Sequence, residues 1–160
     1  MDPLERLSYT AGDCIDRHGY FSSIHQGDAL GYSICNGQTF SNRSALRFDP
    51  AEPGKPKDFT NPAMDLHYNQ MPSMISETTF NRLNRYRSQG PLYCAAYGSL
   101  QGSDAIVHFA FNGTACEVQP GGGRDPGSVV TPAMLGQFSA AALLYRKSLI
   151  KSPSVSIRGK

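Results

Sequence analysis

No stretch of the sequence approaches the roughly 18 consecutive apolar residues that a membrane-spanning helix requires. The longest apolar helical stretch, Met134 to Leu144, is interrupted by Gly136 and Gln137, which argues against an integral membrane protein. Charge is scarce too, with charged residues at 18% and a formal net charge of +2. Nucleic acid is therefore a disfavoured partner. The start, Met-Asp-Pro-Leu-Glu-Arg-Leu, has neither the basic segment nor the apolar stretch of a secretory signal. The expectation is a protein secreted or delivered by a signal-peptide-independent route, or cytosolic if not exported. The four cysteines, Cys14, Cys35, Cys94 and Cys116, form no Cys-x-x-Cys pair, which removes zinc ribbons and thioredoxin-like motifs. A Gly-x-x-x-x-Gly-Lys phosphate loop, His-Glu-x-x-His, Gly-x-Ser-x-Gly and the deaminase zinc signature are absent as well. His18, His25, His67 and His108 are too scattered for a recognisable metal site. Chemistry without cofactor or metal is expected.

What remains is a chain of 160 residues, 39% hydrophobic, with 16 glycines and 11 prolines. That length suits one domain, 1–160, and that composition suits many turns and ordered loops. Asp13 is placed to cap a short helix through Ile15 to Tyr20. Leu30 to Phe40 reads as a strand ending in a turn at Asn36-Gly37, with Ala45 to Phe48 as its partner. Four prolines between Asp49 and Asn69 make that segment a long loop and a candidate lid. Ser76 then opens a helix whose apolar members are Phe80, Leu83 and Tyr86 and whose outer face carries Arg82, Arg85 and Arg87. Gly90-Pro91 stops it. Two apolar runs, Leu92 to Leu100 and Ala105 to Phe111, read as a hairpin, and Thr131-Pro132 opens a final helix to about Ile150. The expected fold is α+β, a central antiparallel sheet with a helix before the Cys94 hairpin and a C-terminal helix.

Within that hairpin, pairing Gly98 with Asp104 sets Cys94 directly opposite His108, with Cβ atoms roughly 5 Å apart on one sheet face. An imidazole beside a thiol takes its proton and leaves a strong nucleophile. Glu117 or Asn112 would hold the ring, and the amides of Gly121, Gly122 and Gly123 would meet an oxyanion. The competing reading is structural, since cysteine is among the most buried residue types.

The stretch Gly90-Pro-Leu-Tyr-Cys94, followed by Ser103-Asp-Ala-Ile-Val-His108-Phe-Ala-Phe-Asn-Gly, resembles the Cys-then-His hairpin of bacterial glutamine deamidase toxins of the cytotoxic necrotizing factor type. That family carries Ser-Gly before its cysteine, where this chain has Leu92-Tyr93. The resemblance implies a cysteine-dependent amidohydrolase with Cys94 and His108 as catalytic residues, to which the reading of the residues themselves adds Glu117 as the group holding the ring. It also implies a protein or peptide substrate and, for a toxin, a cognate immunity or inhibitor protein. Three alternatives stand beside it. One is a papain-like peptidoglycan amidase using Cys14, at a helix start, with His108. Another is a ribonuclease-like toxin using His67 and Glu77 with Arg82, Arg85 and Arg87. The last is a disulfide-braced binding domain presenting Tyr68, Phe80 and Tyr86.

Overall fold

The computed structural model describes residues 3–21, 25–26, 39–40, 42, 44–45, 61–64, 71–111 and 127–151. In chain order the elements are helix α1 (Pro3–Tyr9), strands β1 (Ile15–Phe21), β2 (His25–Gln26), β3 (Thr39–Phe40) and β4 (Ser73–Phe80), helix α2 (Gly90–Gln101), strand β5 (Ala105–His108) and helix α3 (Pro132–Arg146). Short 3₁₀ turns occupy Pro62–Met64 and Arg87–Gln89. No helix among the described residues is long and apolar enough to cross a membrane.

The main sheet has three strands in the order β1-β4-β5. Both ladders are parallel, which overturns the expected antiparallel sheet. The error traces to residues 90–101. The apolar run Leu92 to Leu100 looks like a strand, yet it is the body of α2, with Pro91 in the first helical turn where its missing N–H costs nothing. Gly102 ends the helix in the left-handed region, at φ 72°, donating to the carbonyls of Gly98 and Ser99. Tyr93, Cys94, Ala95 and Gly98 are all buried, so the period of a helix with one wet face is missing. β4 and β5 are parallel, and α2 supplies the crossover connection that a parallel pair needs. A Cβ on Gly98 would fall 2.3 Å from Ile106 Cδ1, so the absent side chain is what lets α2 lie so close to β5.

The helix expected to begin at Ser76 is β4 instead. Ser73 and Ile75 are buried, Met74 and Ser76 half-buried, and Thr78 to Phe80 fully buried. Being the central strand, β4 has neighbours on both edges, and its Ile75, Thr78 and Thr79 are β-branched residues that suit a pleated surface. Past Phe80, Leu83 takes φ 71°, so no helix runs through Arg82, Arg85 and Arg87. The segment Ile15 to Tyr20 likewise forms β1 rather than a helix. Phe40 pairs with His25 in a short antiparallel ladder. The strand portion and turn expected before Phe40, the Leu46 to Phe48 part of its partner, and most of the proline-rich loop lie outside the described residues. The final helix agrees with expectation at its start: Thr131 caps it by accepting from the Met134 amide.

One face of the sheet packs on α2, and α2 in turn packs on α3. Phe21, Phe80, Tyr93 and Cys94 form the core cluster. Phe80 lies at its middle, 4.7 Å from the Phe21 ring and 5.6 Å from that of Tyr93.

Candidate functional site

The opposite face of the β1–β4 ladder carries a polar network made by a register irregularity. Arg17 pairs with Ile75 and His18 with Glu77, so Ser76 is an extra residue in β4. A β-bulge of this kind re-aims side chains. Here it brings Ser76 and Glu77 together onto the face that Asp16, His18 and Tyr20 reach by alternation, while Ile15, Arg17 and Phe21 point inward.

Asp16 anchors the network. One carboxylate oxygen accepts from the Ser76 amide at 2.9 Å and the other from Ser76 Oγ at 2.6 Å. Burial pushes the Asp16 carboxyl up, but the two Ser76 bonds, the Arg17 amide and nearby His18 outweigh it and hold the group below its ordinary value. His18 Nε2 lies 2.8 Å from Ser76 Oγ, and His18 Nδ1 lies 3.5 Å from Glu77 Oε2. Tyr20 donates its hydroxyl to the same Glu77 oxygen. His18 Nε2 thus faces the Ser76 hydroxyl and, at 3.6 Å, the Asp16 carboxylate as well, while Nδ1 faces the carboxylate of Glu77. The His18 side chain is half exposed to solvent, so a hydroxyl, an imidazole and a carboxylate adjoin at the surface, the residue types that nucleophilic catalysis combines.

The residues expected to form the site are distributed otherwise. Cys94 is on α2, not on a strand opposite His108, and the Cα partner of His108 is Thr78. The face-to-face hairpin does not exist. Burial pushes the Cys94 thiol up to about 12, partly offset by a hydrogen bond with Thr78, so at neutral pH the sulfur is a protonated core group. Cys14 is exposed and precedes β1 rather than opening a helix. Both are free thiols, and neither braces the fold through a disulfide. Glu117, Asn112, the Gly121–Gly123 loop, His67, Tyr68, Cys35 and Cys116 lie outside the described residues. Phe80, expected on a partner surface, is in the core. Glu77 does face a histidine, but the histidine is His18. Arg85 bonds and stacks on Tyr86, while burial and the charge of Arg82 lower Arg87.

Asp16, His18 and Tyr20 carried a weak signal that sequence reasoning passed over. They fall at every second position between Ile15 and Phe21, the period of a strand, but Arg17 between them masks the alternation of polar with apolar residues. What no local pattern shows is that this strand pairs with residues some 58 positions later.

Two expectations follow for the thiols and for His108. In native protein at neutral pH, iodoacetamide modifies Cys14, while Cys94 reacts only after denaturant is added; peptide mapping reads both, and native-state labelling of Cys94 would contradict its burial. Burial holds the His108 imidazole down at about 4, against an ordinary 6.5. Between those values the unfolded chain binds a proton that the folded chain refuses, so stability is full above pH 6.5 and falls as pH drops towards 4. The loss reaches about 3 kcal/mol at most. Urea midpoints measured across this range should decline less steeply in His108→Phe, and equal slopes would exclude His108 as the titrating group.

No family model, no curated protein and no solved structure matches this chain. The functional reading therefore rests on the geometry alone.

Proposed function

We propose that the chain is a hydrolase acting by acyl transfer on an ester or amide, with Ser76 as nucleophile, His18 as general base and Glu77 orienting the ring. The observation that carries this is the continuous contact Ser76 Oγ, His18 Nε2, His18 Nδ1, Glu77 Oε2, the order of groups that nucleophilic catalysis uses on unrelated folds. Ser76 Oγ bonds to the substrate carbonyl carbon as His18 Nε2 takes its proton. The bond to the leaving amine or alcohol then breaks, with His18 returning that proton to the leaving group, and water repeats the sequence on the acyl enzyme. At rest the hydroxyl proton points to Asp16, so one rotation about the Cβ–Oγ bond precedes the transfer. Amide hydrolysis of a protein or peptide remains within this class, with the nucleophile moved from Cys94 to Ser76.

The 2.6 Å bond to Asp16 favours a second reading, in which Ser76 only positions His18. The His18–Glu77 pair then exchanges protons directly with a substrate hydroxyl or phosphodiester, and the arginines after β4 meet its charge.

A fluorophosphonate probe separates the two. Labelling at Ser76, located by mass spectrometry and abolished in His18→Ala, is the expected result. An unlabelled wild-type Ser76, together with hydrolysis surviving in Ser76→Ala, would overturn the acyl-transfer reading in favour of the second.

A further inference from the structure

The sheet face that holds the Ser76 network is divided in two. On its β1 side stand Asp16, His18 and Tyr20, whose polar ends all turn towards Ser76 or Glu77. On its β5 side stand Val107 and Phe109, which carry no polar side-chain atom. Both are open to solvent, at 50% and 43% exposure. Their neighbours Ile106 and His108 turn the other way, Ile106 against Gly98 of α2 and the His108 ring against Phe138 of α3.

The extra residue in β4 fixes where this apolar pair lies. Ile75 pairs with Ile106 and Thr78 with His108, so Ser76 and Glu77 together lie opposite Val107. Neighbouring strands run about 4.8 Å apart, and residues two apart along one strand are separated by about 6.6 Å. Val107 therefore borders Ser76 on the side away from His18, and Phe109 continues the same surface along β5. Phe109 is held there by Tyr20, whose ring it meets edge-on with centroids 6.2 Å apart and whose hydroxyl is fixed on Glu77. Thr79, the β4 partner of Tyr20, is only 1% exposed, so this end of the surface is packed.

Which half of a substrate meets the apolar side follows from the proton. In the acyl-transfer reading, on which this inference rests, the leaving oxygen or nitrogen takes its proton from His18 Nε2 as its bond to the carbonyl carbon breaks. The leaving group must then lie on the β1 side of Ser76, within reach of the imidazole. The acyl chain needs no proton, and the β5 side is left to it. Covering Val107 and Phe109 with an apolar chain removes both from water, and it does so only when the carbonyl is seated at Ser76.

We propose that Val107 and Phe109 form the acyl-side surface of the Ser76 site and select esters or amides of apolar carboxylic acids, the chain crossing Val107 first and Phe109 when it is longer.

Turnover of p-nitrophenyl acetate, butyrate and octanoate by the full chain tests this. From acetate to octanoate kcat/KM should rise about tenfold, and the double variant Val107→Asn/Phe109→Ser should lose most of that rise. Hexyl and ethyl acetate should be hydrolysed with similar kcat/KM, because their alcohol meets the polar residues of β1. Three results would overturn the acyl-side surface while leaving Ser76 as nucleophile: a flat acyl-chain profile in turnover that Ser76→Ala abolishes, a rise that survives in the folded double variant, or an equal gain from lengthening the alcohol. Turnover that persists in Ser76→Ala, or none in the wild type, overturns the surface and the acyl-transfer reading together. Should the double variant fail to fold, Val107→Asn decides alone: an undiminished preference for butyrate over acetate overturns the proposal.

Discussion

Replacing His18 with alanine is expected to lower kcat/KM on activated esters by about 10²–10⁴-fold while leaving the fold in place. In the proposed mechanism catalysis falls because the ring carries the proton between Ser76 and the leaving group, its nitrogens lying 2.8 Å from Ser76 Oγ and 3.5 Å from Glu77 Oε2. The fold should survive because the side chain is half exposed and packs on the outer sheet face. Its contacts across the ladder are those of a surface network, which contribute little to stability. Far-UV circular dichroism and thermal melting check the second half of the expectation, and ester kinetics the first. Glu77→Gln should cost less than His18→Ala, since a neutral amide still orients the ring but stabilises its protonated form poorly. A His18→Ala variant with native kinetics would remove both enzymatic readings at once, because each routes its proton through this ring.

The largest expected effect on stability belongs to Phe80. It is 2% exposed, packed between the tilted rings of Phe21 and Tyr93, and its ring fills the space above Gly90, where an added Cβ would meet it at 3.0 Å. Truncation to alanine removes the side chain that joins the end of β4 to the start of α2, and the gap cannot close without moving one of them. A loss of about 3–5 kcal/mol is expected in urea denaturation. A loss below about 1 kcal/mol would mean that the core is not assembled around this ring.

Against these expectations, the errors in the sequence reading share one physical origin. Phe80, Leu83 and Tyr86 do fall at helical spacing, but Thr78, Thr79 and Phe80 are buried because β4 is the middle strand, and burial by neighbours overrides a three-residue period. Leu92 to Leu100 has few polar positions to mark a wet side, so its pattern fits a buried helix as well as a strand. That single ambiguity decided the rest: read as a strand it gives an antiparallel hairpin with sulfur facing imidazole, read as a helix it gives a crossover and a parallel sheet. The cysteine then lies on α2 and the histidine on β5, beside Thr78.

By itself the sequence determined those features whose chemistry is local. Thr131-Pro132 opens the last helix because a hydroxyl cap and a proline in the first turn each satisfy or remove an orphan donor within a few residues, and Ala105 to His108 is a strand in both readings. Tertiary structure alone decided strand direction, which thiol is buried and which histidine acquires partners. The network of Asp16, His18, Tyr20, Ser76 and Glu77 exists because two strands far apart in the chain pair in parallel with one extra residue in β4. A shift of that register by one position would send the face now holding His18 to the other side of the sheet. Pairing energy spread over a whole ladder sets such a register, and no short window of residues contains it.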